Sequence, residues 1–379
     1  MALGAERHSR VLGRFGPRDG TATLIVVAGI HGNEPAGVEA SRRIRDALTA
    51  GPPAMAGELI LILGNVAALE RGERYLTRDL NRAWTRRQIG ALRGEGAEGP
   101  EDREQRELLE ALDGILAAAS GPVHLLDLHT TSGGGGAFST VSDTLRNRAL
   151  ALALPVPLVL GLEELVEGTL HDYMGDRGVI NVAFESGQHD DPRSVDRAEA
   201  AIWIMMAATG VCRADALPAL ADARDLLARD SRGLPRAMEM RYRHAIAPDD
   251  RFHMHPGYRN FQPVRKGETV AEDQDGPVVS PESARMLMPL YQARGADGFF
   301  LVREFRPVWL WVSAGARRVG LDRWVHWLPG IRRHPDEPDA LVVDRRVARW
   351  YALQLLHLLG FRREVEVGRT LVVHRRPDA

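Results

Sequence analysis

The sequence has almost no cysteine and almost no lysine. Cys212 stands alone, which excludes an internal disulfide and any multi-cysteine zinc site. A bound metal would therefore have to be held by histidine and carboxylate. Lys266 is the sole lysine beside many arginines. Because Asp and Glu balance those arginines throughout, the bias fits codon usage of a GC-rich genome better than a phosphate-binding signal. The formal net charge is -2, so no global field favours nucleic acid or an anionic membrane as partner. No apolar run approaches the ~20 residues of a membrane span. The N-terminal MALGAERHSRVLGRFG lacks the charged, apolar and small segments of a signal peptide, which makes the cytoplasm the expected compartment. There is no internal repeat, and Gly133 to Gly136 is the one low-complexity tract.

What is present reads as a globular protein of 379 residues, too long for a single ordinary core. Thr23–Gly29, Glu58–Leu63, Val123–Leu128, Leu158–Leu160 and Val179–Phe184 are short β-branched or apolar runs with the character of buried strands. Helical periodicity lies between them at Ala36–Leu48, Glu101–Ala119 and Pro192–Thr209. Strands alternating with helices predict a three-layer α/β/α domain over residues 1–212. Ala214–Ala228 reads as a linker helix. Gly and Pro then punctuate short strands at roughly ten-residue intervals up to Arg303, as in a small β-barrel or sandwich over 213–303. Residues 304–379 form an α+β extension with tryptophans at 309, 311, 324 and 327, a helix at Val347–Leu359 and a final strand pair. Those tryptophans are expected to pack the extension onto the β-domain rather than to stack bases.

Chemistry concentrates at strand ends, where open α/β sheets hold their ligands. His31-Gly32-Asn33-Glu34 follows the first strand directly. Two residues on a tight turn let an imidazole and a carboxylate converge on one cation, although a solvated turn would carry the same letters. Asp127-Leu128-His129 ends another strand, and period-two alternation puts Asp127 and His129 on one side. His129 can then ligate while Asp127 turns back to fix its tautomer, the alternative being a plain strand cap. Glu185 closes the apolar run VINVAF. A carboxylate there is costly unless paired or functional, and it could relay a proton or merely cap the next helix. Arg74 to Arg82 (RYLTRDLNR) is dense in groups that pair with carboxylates or steady an oxyanion, yet alone it reads as a solvated face. His253 and His255 could ligate a second metal, but a solvated strand end explains them more simply.

HGNEPAG, RDLNR, DLHTTSG and AFESG, in this order, resemble the succinylglutamate desuccinylase/aspartoacylase family, related to the zinc carboxypeptidases. The resemblance covers about residues 20 to 210 and continues through Arg285–Arg303, which looks like the closing strands of that family's C-terminal β-domain. It implies a zinc-carboxypeptidase-like catalytic domain holding one Zn²⁺ per chain through His31, Glu34 and His129. Glu185 matches the general base and proton shuttle, and Arg74 the arginine that polarises the scissile carbonyl. Asn81 and Arg82 match the pair that binds a substrate carboxylate. Gly168-Thr169-Leu170 with Tyr173 resembles a helix start near the pocket, while Arg177 and Tyr291 are candidates for further substrate contacts. The chain departs from the family at Ser186, where an apolar residue is usual, and its glycine tract would loosen a loop near the metal.

The activity implied is hydrolysis of a small N-acyl amino acid or acylated amine. Two other readings use the same residues: a carboxypeptidase acting on a peptide C-terminus, and a binding or regulatory protein on a catalytically spent fold. The partners expected are the small-molecule substrate and further copies of the chain as a homo-oligomer, with no nucleic acid and no membrane.

Overall fold

The computed structural model describes residues 10–92, 98–337, 340–344, 346–347, 352–367 and 370–375. Its first βα units arise where the apolar runs predict them. Strands β2 (Thr23–Ala28) and β3 (Glu58–Leu63) are buried at every position, as suits strands covered on both faces. Both pair in parallel, and β2 pairs equally with β4 (Val123–Thr131) on its other side. β4 in turn pairs in parallel with β7 (Ile180–Gln188). Three further strands complete this half of the sheet: β1 (Val11–Phe15), β5 (Phe138–Val141) and β6 (Leu158–Leu160).

Helices cover the two faces. On one, α1 (Pro35–Ala50) and α7 (Pro192–Ala208) bury Ile44, Leu48, Ile202 and Met205 against Leu24, Val26 and Leu128. On the other, α4 (Pro100–Ala118) and α6 (Leu170–Asp176) bury Leu108, Leu112, Leu170 and Met174 against Ile25, Val27 and Leu125. Alternate residues of β2 thus feed opposite layers, the period-two signature of a sheet between two helical layers. Shorter helices α2 (Val66–Arg71), α3 (Arg86–Leu92) and α5 (Leu145–Ala151) occupy the connections.

The sheet does not stop near residue 213. Its order is β1-β3-β2-β4-β7-β5-β6-β8-β14-β13-β10, eleven strands in all. The added strands are β8 (Ala237–Ala245), β10 (Pro263–Val264), β13 (Ala284–Leu287) and β14 (Asp297–Glu304). β6 pairs with β8 in parallel, so the later strands extend the same sheet edge to edge. A separate three-stranded sheet holds β9 (His253–Met254), β11 (Thr269–Asp273) and β12 (Gly276–Val279). The linker helix expected over Ala214–Ala228 is broken: a 3-10 turn at Ala214–Ala216 precedes α8 (Leu220–Asp230). Pro218 explains the break, since it disfavours helical backbone in the residue before it.

The extension contains α9 (Val308–Arg318), a 3-10 segment Leu321–Trp327, and α10 (Ala352–Leu358). An antiparallel sheet follows the order β15 (Ile331–Arg333), β16 (Ala340–Asp344), β18 (Thr370–Arg375) and β17 (Phe361–Val367). The helix expected at Val347–Leu359 lies partly outside the described residues. The packing expected of the tryptophans is corrected, because Trp309, Trp311, Trp324 and Trp327 are all exposed.

A candidate metal centre at the strand ends

The HGNE turn is shaped by backbone crowding. Gly29 takes a φ of 70° as β2 ends, and a Cβ on Gly32 would lie 2.1 Å from the carbonyl carbon of Ala68. Only glycine passes there. Glu34 N donates to His31 O at 3.2 Å, which closes the turn, and Glu34 then stands immediately before α1. His31 and Glu34 are thereby brought side by side, both buried.

The Glu34 carboxylate gathers the cluster. Its Oε1 lies 2.7 Å from His31 Nδ1, and its Oε2 lies 3.2 Å from His129 Nδ1 while accepting from Thr130 N at 3.0 Å. Burial alone would raise its pKa, but the two histidines hold it well below the usual carboxylate range. One donor atom from each of His31, Glu34 and His129 falls within 4.8 Å of the others.

A carboxylate stands behind each imidazole. His129 Nε2 lies 3.1 Å from Asp127 Oδ2, and His31 Nε2 lies 3.0 Å from Asp79 Oδ1. This leaves both Nδ1 atoms facing the common point, the arrangement by which proteins orient metal-binding histidines. Burial opposes charge on His129, yet Asp127 and Glu34 raise its pKa well above the ordinary value. The cluster therefore calls for positive charge at its centre. Two nitrogens and a carboxylate, with room for a further ligand, fit the donor set of a catalytic zinc ion.

Asp79 was not singled out in the sequence. It caps the 3-10 turn Leu80–Arg82, where its Oδ1 accepts from Asn81 N at 2.9 Å, while Oδ2 accepts from Arg74 at 3.1 Å. Arg74 also reaches Glu34 Oε1 at 3.4 Å. Burial would lower the arginine's pKa, but Asp79 and Glu34 raise it, so it stays a cation beside the cluster. An Asp at N-cap position in RDLNR was a readable signal; its second partner, 48 residues away, was not.

Parallel pairing brings Glu185 to the same place. His129 and Glu185 are register partners across β4 and β7, and register partners face the same side of a sheet. Glu185 is buried, and its Oε2 has no hydrogen-bond partner. Burial, with Glu34 adding to it and His129 opposing, pushes the Glu185 pKa up to about 7.

A single cavity is lined by His31, Glu34, His129 and Glu185, and also by Arg74, Asn81, Arg82 and Asp127. Asn81 Oδ1 accepts from Leu170 N at 2.9 Å at the start of α6, tying it to the Gly168-Thr169-Leu170 segment. Thr169 caps that helix by accepting from Asp172 N, and it too lines the cavity. Arg82 is half engaged: it lies 3.6 Å from Asp297 of β14, which Arg243 of β8 also holds at 2.6 Å. Tyr173 is set aside from the pocket and packs on Trp84, with ring centroids 5.4 Å apart.

Other candidates are not brought in. Arg177 pairs with Asp113 and lies over Tyr173, while Tyr291 is exposed and donates to His255 O at 2.7 Å. His253 is exposed, and His255 lies 3.6 Å from Glu272; neither joins a metal-competent cluster among the described residues. The glycine tract is anchored rather than loosened: Gly135, at φ 132°, forms a β-bridge with Asn260, where a Cβ would collide. The sequence did not disclose a link across the rim. Gln292 Oε1 accepts from Asn33 at 2.8 Å and lies 3.2 Å from His189 Nε2, and His189 Nδ1 meets Thr130 Oγ1 at 2.7 Å. Nor did it disclose Glu163, His171 and Asp172, a second grouping of possible ligands beside the same cavity.

Comparison with known proteins agrees with this geometry. Residues 20–200 match the family model described as the succinylglutamate desuccinylase/aspartoacylase catalytic domain. A succinylglutamate desuccinylase of Burkholderia orbicola is 38% identical over 111 residues, which cover 29% of this chain and 31% of that protein. The chain thus spans about a third of the length of the curated relatives it matches. The fold is shared more widely than the sequence. The crystal structure of succinylglutamate desuccinylase from Chromobacterium violaceum superposes with a TM-score of 0.53 at 19% identity, covering 76% of this chain and 86% of that one. A succinylglutamate desuccinylase/aspartoacylase from Rhodobacter sphaeroides gives 0.55 at 18% identity, covering 77% and 87%. Over residues 20–200 the chain is thus similar to the succinylglutamate desuccinylase/aspartoacylase catalytic domain, and its three-layer fold is that of its structural neighbours.

Proposed function

We propose that this chain is a zinc-dependent deacylase that hydrolyses the amide bond of a small N-acyl amino acid or related acylated amine. The observation that carries the reading is the pairing of a buried, unpartnered Glu185 Oε2 with His129 at the edge of a cluster that could hold one metal ion. His31, Glu34 and His129 would hold the zinc, with Asp79 and Asp127 orienting the two imidazoles. Zinc, when bound, polarises a carbonyl and lowers the pKa of water.

The chain's own residues then divide the work. Glu185 Oε2 takes a proton from the attacking water as a C–O bond forms at the carbonyl carbon. It returns that proton to the amide nitrogen as the C–N bond breaks, so that a carboxylate and an amine leave. A carboxyl whose pKa is raised by burial suits both steps, because it holds a proton better than an exposed glutamate. Arg74 donates to the oxyanion that develops on the carbonyl, its charge secured by Asp79 and Glu34. Asn81 and Arg82 bind a carboxylate on the substrate, and Asp297 keeps the Arg82 side chain on the cavity wall.

The test is release of free amine from acetyl, succinyl and formyl derivatives of amino acids and diamines by zinc-loaded protein, beside the Glu185→Gln variant. Turnover of at least one such amide, lost in the variant with zinc retained, is the expected result. Equal turnover by both proteins would overturn the assignment of Glu185. Absence of zinc, with no hydrolysis after zinc is added, would overturn the deacylase reading.

A further inference from the structure

Helix α9 is amphipathic in the wrong sense for a helix in a closed protein. Its buried residues are Leu310 and the polar Ser313 and Arg317, while its exposed ones are mostly apolar, Val308, Trp309, Trp311 and Val312, with Arg318 at its end. Arg317 is held by the buried carboxylate of Asp143, to which it donates at 3.2 Å, and Ser313 accepts from Arg148 at 2.9 Å. The orientation is therefore fixed by buried polar contacts. Rotating α9 to bury its outer face would break them, at the cost of leaving charges unpaired.

On the outer side, Trp309, Val312 and Val319 are exposed, and Trp311 is 77% exposed. The following segment adds Trp324 and, at 70% exposure, Trp327, whose rings meet edge-on at 4.5 Å. Scattered exposed hydrophobics need no explanation, but four tryptophans and two valines fall within twenty residues on two elements that touch, and two of the rings are in contact. Along this stretch positive charge prevails, with the flanking acids Glu304 beside Arg285 and Glu337 beside His374. Residues 305–334 contain six arginines and one acid, Asp322, which is paired with Arg375. Arg317 is buried on Asp143, and the other five, Arg306, Arg318, Arg323, Arg332 and Arg333, are exposed with no ion pair among the described residues.

We propose that this patch docks the protein on the surface of a membrane rich in anionic phospholipid. Indole rings prefer the headgroup boundary, where an apolar body and a polar N–H are both satisfied. Exposed arginines add attraction to anionic headgroups, and the two together describe a segment lying in the interface. No helix of the described residues is long and apolar enough to cross a membrane, so the contact is peripheral. A second copy of the chain is a poorer occupant. A two-fold pairing would set the same arginine rim against itself. A nucleic acid would use the tryptophans as stacking platforms but leave Val312 and Val319 without a counterpart. The balanced net charge of the whole chain conceals this local excess, which is why composition argued against a membrane partner.

The experiment is flotation of the full-length chain with vesicles of phosphatidylcholine alone or of an equimolar mixture with phosphatidylglycerol. Tryptophan emission is followed in parallel. Wild type should float with the mixed vesicles and not with phosphatidylcholine, with a blue-shifted emission, and should detach as salt rises from about 0.1 to 0.5 M. Trp311→Ser/Trp327→Ser should weaken the partition about tenfold or more. Each of Arg318→Gln and Arg323→Gln should weaken it about fivefold. All these positions are exposed, and unchanged thermal unfolding and amide hydrolysis would establish that the variants fold. Failure of wild type to float with, or shift its emission on, the mixed vesicles would overturn the proposal. So would self-association lost in the tryptophan variant without vesicle binding, or binding of a single-stranded oligonucleotide in place of vesicles.

Discussion

His129 and Glu185 stand opposite one another across the parallel β4–β7 ladder, so that a histidine at the metal-competent cluster and an unpartnered buried carboxylate share one face of the sheet. The pair is fixed by register, because slipping either strand by one residue would turn one side chain to the opposite layer. Glu185→Gln preserves shape and the strand, and should leave zinc content unchanged while lowering kcat about 10²- to 10⁴-fold. Metal analysis beside steady-state kinetics checks it; a variant that loses zinc and activity together would make Glu185 a ligand instead.

Asp79 hydrogen-bonds the far nitrogen of His31, and Asp127 lies 3.1 Å from that of His129. Replacing either by Asn keeps the shape but removes the charge that favours a metal on the near nitrogen. Asp79→Asn and Asp127→Asn should each weaken zinc binding about 10- to 100-fold, read by competition with a chromophoric chelator. Unaltered affinity in both would show that the histidines need no such support.

Arg74 differs from the other arginines of its segment in reaching two carboxylates of the cluster at once. Lysine would keep a charge but cannot span Glu34 and Asp79 in the same way. Arg74→Lys should lower kcat about 10²-fold with KM little altered, as expected when an interaction made in the transition state is lost. A change confined to KM would reassign Arg74 to substrate binding.

The strand ends were legible because their chemistry is local. The run TLIVVAG, followed at once by HGNE, carries both the strand and its tight turn, and DLHTT puts Asp127 and His129 one period apart. What could not be read is what depends on long-range pairing. Asp79 reaches His31 through the fold alone, and β5, a short strand just after a glycine tract, becomes a strand only because β7 and β6 flank it. β8 and β14 alternate plausibly as parts of a separate β-domain. Their membership in the main sheet follows from the β6–β8 pairing, for which no sequence pattern exists. The tryptophans of the extension are expected from sequence to pack it onto the β-domain, yet all four are exposed. For Trp309 and Trp311 the reason is a buried ion cluster, invisible in periodicity, that sets the rotation of α9.

That cluster supplies the last prediction. Asp143, almost wholly buried after β5, receives Arg148 from α5, Arg317 from α9 and Arg362 from β17, so one carboxylate joins the catalytic domain to the extension. Burial would raise its pKa, but Arg148, Arg362 and Arg317 hold it far below the usual carboxylate range. A depressed pKa means that the unfolded chain binds the proton more readily than the folded one. The stabilisation is therefore fully present above the unfolded value of about 3.9 and is lost as pH falls through the folded one. Asp143→Asn leaves the guanidinium groups without their counter-charge and should destabilise the protein by about 3–5 kcal/mol at pH 7. The gap between wild type and variant, measured by denaturant unfolding, should stay constant from pH 8 to about 5 and narrow below about 4. A gap that widened on acidification would mean that the arginines, not Asp143, are the groups whose charge state limits the junction.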